Sequence, residues 1–389
     1  MGVVLTVSRS AVLLAGIPSE NPALYHRVRF RVGDPAAWLS LDLDGQQRSE
    51  FIVRDIEMER ARQTVQVDNV ACPADYAPSA GLSGDRATAT AQAVAECLLR
   101  AGVERVTTDR TLPYIFAWHI TQAGITVDYA PELGVIDRRV KDEQEMQWLA
   151  EAQRVTEEAM RMACETVARA AADAQGQLQH EGELLTSQRL RKMISVFLLD
   201  RDFSNPHDSI VASWPHSADC HDHGSGPLLS GHAVIIDIFP RCQASGYWGD
   251  CTRTCVHGQS SDEIVRMHAA VVAAKRAATT AAIAGATADA VHNATKGELQ
   301  AHGYEFKRGA ISDSPVMPHG TGHGIGLEVH EPILLDDNGG TLMAGEVLTI
   351  EPGLYSRTFG GVRVEDMVAI TDDGQPHNFN RLPEGLFWG

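Results

Sequence analysis

The sequence contains no Cys-x-x-Cys pair, and its seven cysteines are odd in number and scattered from Cys72 to Cys255. That excludes a disulfide framework and argues against a cysteine zinc site. Basic residues are in deficit, with 33 Lys and Arg against 51 Asp and Glu and a formal net charge of −18. Such a balance does not suit a nucleic-acid scaffold, and part of the acidity is open to a role in holding cations. No apolar run is long enough to span a bilayer. Residues 1–17 are apolar enough to imitate a secretory leader, but they lack a basic start and Arg9 interrupts them. The opening Met1-Gly2-Val3-Val4-Leu5-Thr6 is only a loose match to a myristoylation signal. A cytoplasmic protein is expected. There is also no short-period repeat and no low-complexity segment.

At 389 residues the chain has room for about two to three domains. The first third reads as a small α/β unit. Residues 38–43 alternate, turn at Asp44-Gly45 and return as a strand through 51–53. A helix is expected over 56–61, a strand over 65–67, a loop over 73–87, and a helix over 88–101 stopped by Gly102. A strand over 103–107 follows. Near residue 140 the texture changes: Asp142 with Glu145 resembles a capping box, and Met146, Leu149, Ala152, Val155 and Ala159 form a helical stripe. That helix is expected to run to about Ala172, with a domain boundary just before it, at 138/139. Another helix is read over 186–199 and a strand over 209–212. A polar loop over 213–231 carries His216, His221 and His223. A hairpin follows, with arms 233–239 and 247–256, then helices over 262–283 and 288–302, and a β-rich remainder.

The stretch 319–331 organises the chain. It holds His319, His323 and His330 interleaved with Gly320, Gly322, Gly324 and Gly326. Histidines four apart would suit a helical metal site, but each glycine costs a helix about 1 kcal/mol, so loop and strand are expected. Taken alone, a turn rich in glycine and histidine carries no chemistry. Its meaning comes from acids set inside apolar, strand-like runs on both sides: Asp237 in 234–239, Glu351 in 348–353 and Glu365 in 362–368. Asp250 lies on the hairpin arm opposite Asp237, where cross-strand pairing can bring the two carboxylates together. Buried carboxylates side by side are costly unless a cation lies between them. Four carboxylates and the imidazole of His323 would offset two divalent ions, and two-metal sites activate water for hydrolysis. Cys220, Cys242, Cys251 and Cys255 cluster about the hairpin as small apolar fillers, and Trp214, His216 and His223 need no function to sit in a polar loop.

Asp237, Asp250-Cys251-Thr252-Arg253-Thr254, His319-Gly320-Thr321-Gly322-His323-Gly324-Ile325-Gly326, Val329-His330-Glu331, Glu351-Pro352-Gly353 and Val364-Glu365-Asp366 together resemble the methionine aminopeptidase, Xaa-Pro aminopeptidase, prolidase and creatinase superfamily. The resemblance covers about residues 140–375 and is nearest to the prolidase-like peptidases. It implies an α+β fold: a pita-bread catalytic domain over 139–389 behind a smaller creatinase-type α/β domain over 1–138. Asn21-Pro22-Ala23-Leu24-Tyr25 faintly resembles the start of that smaller domain. The sequence departs from the pattern at Phe239, where the superfamily usually has glycine, and in a longer hairpin between the two aspartates.

The resemblance assigns Asp237, Asp250, His323, Glu351 and Glu365 to metal, with Asp250 and Glu365 bridging and Thr252 orienting Asp250. It places His221, with His223 as a rival, and His319, His330 and Glu351 in catalysis. Tyr355 and Arg363 are assigned to substrate binding. The implied activity is hydrolysis of the peptide bond preceding proline by a metal-activated hydroxide, as an Xaa-Pro dipeptidase or aminopeptidase. The implied cofactors are two divalent ions, Mn²⁺ ahead of Co²⁺ or Zn²⁺, because oxygen-rich ligation suits manganese. The implied partners are a small peptide and a second copy of the chain, and neither nucleic acid nor membrane is expected. A creatinase-like hydrolase of a non-peptide C–N bond and a non-catalytic peptide-binding relative are the alternatives. Both would be expected to have lost ligands that are present here.

Overall fold

The computed structural model describes residues 9–309 and 312–389. The Met1-Gly2 myristoylation match therefore lies outside the described residues. The chain divides into two compact units, Met1–Arg138 and Arg139–Gly389.

The first unit is built on a six-stranded sheet. Its strands lie in the order Asn69–Ala71, Gln46–Ile52, Ala36–Leu43, Ser10–Gly16, Arg105–Thr108 and Thr126–Tyr129. Alternation along the strands sends neighbouring residues to opposite faces. Leu13, Leu39 and Ile52 pack with Val94 and Leu98 of helix Arg86–Arg100 and Phe116 and Ile120 of helix Tyr114–Gln122. Leu14, Trp38 and Phe51 pack with Leu24 and Val28 of helix Pro22–Val28 and Ala61 of helix Met58–Thr64. The apolar segment ending at Ile17 is thus, from Ser10, a central strand of a core. The expected hairpin at Asp44-Gly45 is present, as is the Gly102 stop, whose φ of +69° suits glycine.

Residues 65–67 do not pair as a strand. Val65 closes the preceding helix, its N–H donating to Ala61 O at 2.8 Å, and Val65 and Val67 pack beneath the sheet. Pairing starts only at Asn69, once Asp68 has accepted from Ser49 N–H at 2.7 Å. The apolar alternation there is satisfied by packing, which the pattern cannot separate from strand pairing. The helix read over 56–61 is a turn of 3₁₀ helix, Asp55–Glu57, followed by Met58–Thr64.

The second unit begins with helix Glu143–Ala168, started by the Asp142/Glu145 box with both reciprocal bonds formed. It ends at Ala168, short of Ala172. Ala171–Ala172 instead pairs with Leu178–His180 around Asp173, whose carboxylate accepts from the N–H groups of Gln175 and Gln177. Helices Ser187–Leu199, Asp262–Ala281 and Ala288–Ala301 follow, capped by Thr186, Ser261 and Thr287.

These helices pack outside three sheets. Strands Ile210–Ser213, Ala233–Ile238 and Cys251–Val256 form one sheet, and His323–Gly324 lies between Glu331–Leu334 and Val347–Ile350 in another. The third includes Gly353–Ser356 and Gly360–Arg363. The hairpin's second arm starts at Cys251, not 247, because residues 239–250 close on themselves: Cys242 N–H donates to Tyr247 O and Gly249 N–H to Pro240 O. Apolar side chains such as Val234, Ile236, Met317, Leu348 and Val362 seal the sheets to the helices. The acids singled out above face the other way. No helix among the described residues is long and apolar enough to cross a membrane.

Candidate metal centre

Asp237 pairs directly with Thr252 across the central hairpin. Asp250 precedes Thr252 by two residues, so its side chain leaves on the same face and lies diagonal to Asp237. Asp250 is held through its backbone: Gln153, buried on the long helix, accepts from its N–H at 2.8 Å and donates to its carbonyl at 2.6 Å. Glu365 follows strand Gly360–Arg363, and its N–H donates to Thr252 O at 3.0 Å. The Thr252 hydroxyl donates to Glu365 Oε2 at 2.8 Å. Thr252 therefore orients Glu365 and not Asp250, because its Oγ1 points across to the neighbouring strand. Glu351 follows strand Val347–Ile350 and hangs from Thr321 O by its N–H at 2.8 Å.

His323 reaches the acids because its neighbours lack side chains. A Cβ on Gly322 would stand 2.0 Å from Thr349 O, and one on Gly324 would stand 2.6 Å from Pro332 O. The histidine strand is thus squeezed between two backbones, which only alternating glycine permits. Glu331, next after His330, turns away to pair with Lys141 at 2.8 Å, both side chains 2% exposed.

Donor atoms of Asp250, His323 and Glu365 lie within 4.8 Å of one another. His323 Nε2 is 3.5 Å from Glu351 Oε1 and 3.8 Å from Asp250 Oδ2. These are not ion pairs. Burial, then His330, pushes the His323 imidazole down to about 3, so the ring is neutral. Its Nδ1 lies 3.1 Å from Gly324 O and so carries the proton, which turns the Nε2 lone pair toward two carboxylates. Burial, then the charge of Glu365, raises Asp250 well above the usual carboxylate range. Burial and Glu351 do the same to Glu365, and Glu351 is raised by burial to about 7. Asp237 gives Oδ2 to Arg363 Nη2 at 2.7 Å, while its buried Oδ1 has no hydrogen-bond partner. Lone pairs aimed at lone pairs, mutually strained acids and an orphan oxygen are what a cation between them would resolve. The residues fit divalent metal.

The five residues line one cavity of about 600 Å³, within the range of small-ligand sites. His221, His319, His330 and Arg363 line it too, whereas His223 turns its Nδ1 to Ser209 O at 3.2 Å. His319 is lowered to about 4 by burial, then Arg363, and both ring nitrogens are engaged, by Gly320 O at 2.7 Å and Tyr355 OH at 3.1 Å. His330 is also lowered, by burial and then His221, and its ring meets that of His323 edge-on at 4.4 Å. Arg363 spends its N–H groups on Asp237, Tyr355 OH, Cys220 O and Thr252 Oγ1. Tyr355, expected at the substrate, stands behind the wall with its hydroxyl taken by His319 and Arg363, because Arg363 draws it inward. His207, Ile210, Cys220, Phe239 and Asp336 also line the cavity. Of these, the sequence drew attention only to Phe239, as a departure, and to Cys220, as a filler. A lone histidine in 205–208 carries no pattern that would have marked His207.

The profile of metallopeptidase family M24 matches residues 147–372. The chain is 37% identical over 180 residues to "Probable dipeptidase PepE" of Mycobacterium tuberculosis, covering 46% of this chain and 45% of that protein. It is 34% identical over 169 residues to the Xaa-Pro dipeptidase of Pyrococcus furiosus, covering 43% and 45%. These matches span about half the length of the curated relatives. Among solved structures, the chain resembles the Xaa-Pro dipeptidase from Bacillus anthracis at TM-score 0.78 and 22% identity, over 97% of this chain and 95% of that one. It also resembles the prolidase from Pyrococcus horikoshii at TM-score 0.75 and 22% identity, over the same shares. At such identities the structural likeness shows the fold, the pita-bread α+β architecture behind an N-terminal domain.

Proposed function

The chain belongs to metallopeptidase family M24, and from that premise we propose that it is a dinuclear-metal hydrolase of the peptide bond preceding proline, acting on Xaa-Pro dipeptides or short peptides. The observation that carries this reading is the buried set of four carboxylates around the neutral His323. Asp237 would serve one ion, Asp250 and Glu365 both, and His323 with Glu351 the other. Four carboxylates and Arg363 sum to three negative charges against four positive, which leaves place for one anion. Bound, the ions supply Lewis acidity and a water ionised at neutral pH. The rest is done by the chain. Glu351 would take the proton of the attacking water and return it to the proline nitrogen. His330 and His221 offer N–H groups to the carbonyl oxygen as negative charge builds on it. Arg363 and Tyr355 hold Asp237 and His319 in place. A bond to proline has a tertiary amide nitrogen without N–H, so a site that relies on that donor would fail where this one does not need it.

The dipeptidase names of the two sequence relatives support a short substrate, and oxygen-rich ligation supports Mn²⁺ over Co²⁺ or Zn²⁺. The test is a panel of Ala-Pro, Gly-Pro, a longer Xaa-Pro peptide, a Met-initiated peptide and creatine, each with Mn²⁺, Co²⁺, Zn²⁺ or chelator. Cleavage of the Xaa-Pro dipeptides with Mn²⁺, abolished by chelation, is expected. Full activity after exhaustive chelation would falsify the metal mechanism.

A cytoplasmic homodimer is part of the same proposal, with the first unit contributing to the interface. Tyr114, Trp118 and Tyr129 of that unit are exposed and give it apolar surface to bury. Light scattering should return twice the mass of the 389-residue chain; a fully active monomer overturns this part.

A further inference from the structure

One group of ligating side chains at the cavity has no part in the centre above. Asp219, Cys220 and His221 follow one another directly after the 3₁₀ turn His216–Ala218. They offer a carboxylate, a thiol and an imidazole whose donor atoms all lie within 4.8 Å of one another. Cys220 and His221 line the cavity, so the group sits at its edge.

The backbone presents the three together. Asp219 N–H donates to His216 O at 3.0 Å, and Cys220 O accepts from Arg363 Nη1 at 3.2 Å. Asp219 Oδ1 accepts from His221 N–H at 2.9 Å, which closes a turn about Cys220. Among the described residues, neither Asp219 Oδ2 nor a ring nitrogen of His221 has a hydrogen-bond partner. Metal–donor bonds of about 2.0–2.3 Å put the donors of one tetrahedral ion roughly 3.5 Å apart. Asp219 and His221 are exposed, so a small closing movement reaches that spacing. The dinuclear centre has no sulfur donor and suits hard ions, whereas a thiolate beside an imidazole suits Zn²⁺ and Co²⁺. Binding would convert the thiol to a thiolate and release its proton.

We propose that Asp219, Cys220 and His221 form a third metal site, selective for Zn²⁺ over Mn²⁺, through which excess zinc shuts the enzyme off. Three protein ligands leave a fourth position for water. An ion held there takes the His221 imidazole away from the substrate carbonyl. That inhibitory part rests on the hydrolase reading above; the site itself does not.

In the first arm of the test, Co²⁺ is added to the metal-free full chain until binding saturates. Metal stoichiometry and sulfur-to-cobalt charge-transfer absorption are measured. Wild type should bind three ions per chain and show a thiolate band that Zn²⁺ abolishes. Cys220→Ser should bind two ions and lose the band. Asp219→Asn, which keeps the Oδ1 that accepts from His221 N–H, should weaken Co²⁺ binding at this site at least about tenfold. No band in wild type, or a band that persists in Cys220→Ser, overturns the site. In the second arm, Zn²⁺ is titrated into Mn²⁺-loaded protein cleaving Ala-Pro, each protein being compared with its own zinc-free rate. The concentration for half inhibition should rise at least about tenfold in Cys220→Ser. Equal concentrations for the two proteins overturn the inhibitory role, because zinc then acts by replacing manganese in the centre. No cleavage by wild type, with the cobalt band present, sinks the hydrolase reading and leaves the third site standing.

Discussion

Replacing Asp250 by alanine is expected to remove both divalent ions and to lower kcat/KM by far more than about 100-fold. Losing an outer partner of a metal ligand already costs roughly 10–100-fold, and Asp250 is the residue proposed to serve both ions. Its carboxylate sits with the His323 imidazole and the Glu365 carboxylate in one cluster, while its backbone is clamped by Gln153. The substitution therefore deletes the carboxylate without unfastening the chain. A second readout separates lost metal from lost fold. Burial and neighbouring acids raise the Asp250 pKa. A raised carboxylate pKa means the ionised group opposes folding, and increasingly so as pH rises through the unfolded value. Without metal, the alanine variant should then melt no lower than wild type at neutral pH. With metal, wild type alone should gain stability, because only it binds the ions in its folded state. Two ions per chain in the variant, measured by elemental analysis, would refute the shared-ligand role. A metal-free variant that melts well below metal-free wild type would show a folding defect instead.

His330→Ala and His323→Ala are expected to differ in kind. The two rings touch, yet only His323 aims a lone pair at the acids. His330 lines the cavity with its side chain exposed, and desolvation and then His221 push its imidazole down from the usual value. An N–H placed there strengthens its bond as charge develops on the carbonyl oxygen. Its loss should fall on kcat by about 10²–10³-fold, with KM and metal content little changed. His323→Ala should lower metal occupancy and activity together. His330→Gln, which keeps a donor, should recover part of the rate. Loss of metal from His330→Ala to the extent seen in His323→Ala, or an unchanged kcat, would remove His330 from the chemistry.

What was legible in the chain was what local chemistry dictates. The Asp142/Glu145 box, the Asp44-Gly45 turn and the Gly102 stop each follow from one or two residues and their hydrogen bonds, and the structure has all three. Acids inside apolar strand runs could be recognised because nothing but shared chemistry explains them, and Asp237, Asp250, Glu351 and Glu365 do line one cavity with His323. Misreadings arose where one pattern has two physical solutions. Alternation at 65–67 is served by packing without pairing, and the alanine-rich end of the long helix yields to a small sheet around Asp173. The direction of the Thr252 hydroxyl and the retreat of Tyr355 behind Arg363 depend on contacts more than 100 residues apart in the one case and on rotamer choice in the other. His207 reaches the cavity only because Trp248 stands behind it, a meeting no spacing announces.

The Lys141–Glu331 pair bears on how this sequence can drift. With both side chains 2% exposed, losing either partner alone takes the opposite charge away from a desolvated group, at up to about 3–5 kcal/mol. Replacing both by apolar residues of similar size is close to neutral. The two positions are 190 residues apart in the chain, yet they can leave only together. The step between the charged and the apolar version passes through a less stable single variant, which opposes change at either position alone. Since Glu331 is next to His330, that coupling also restrains the segment on which the cavity depends.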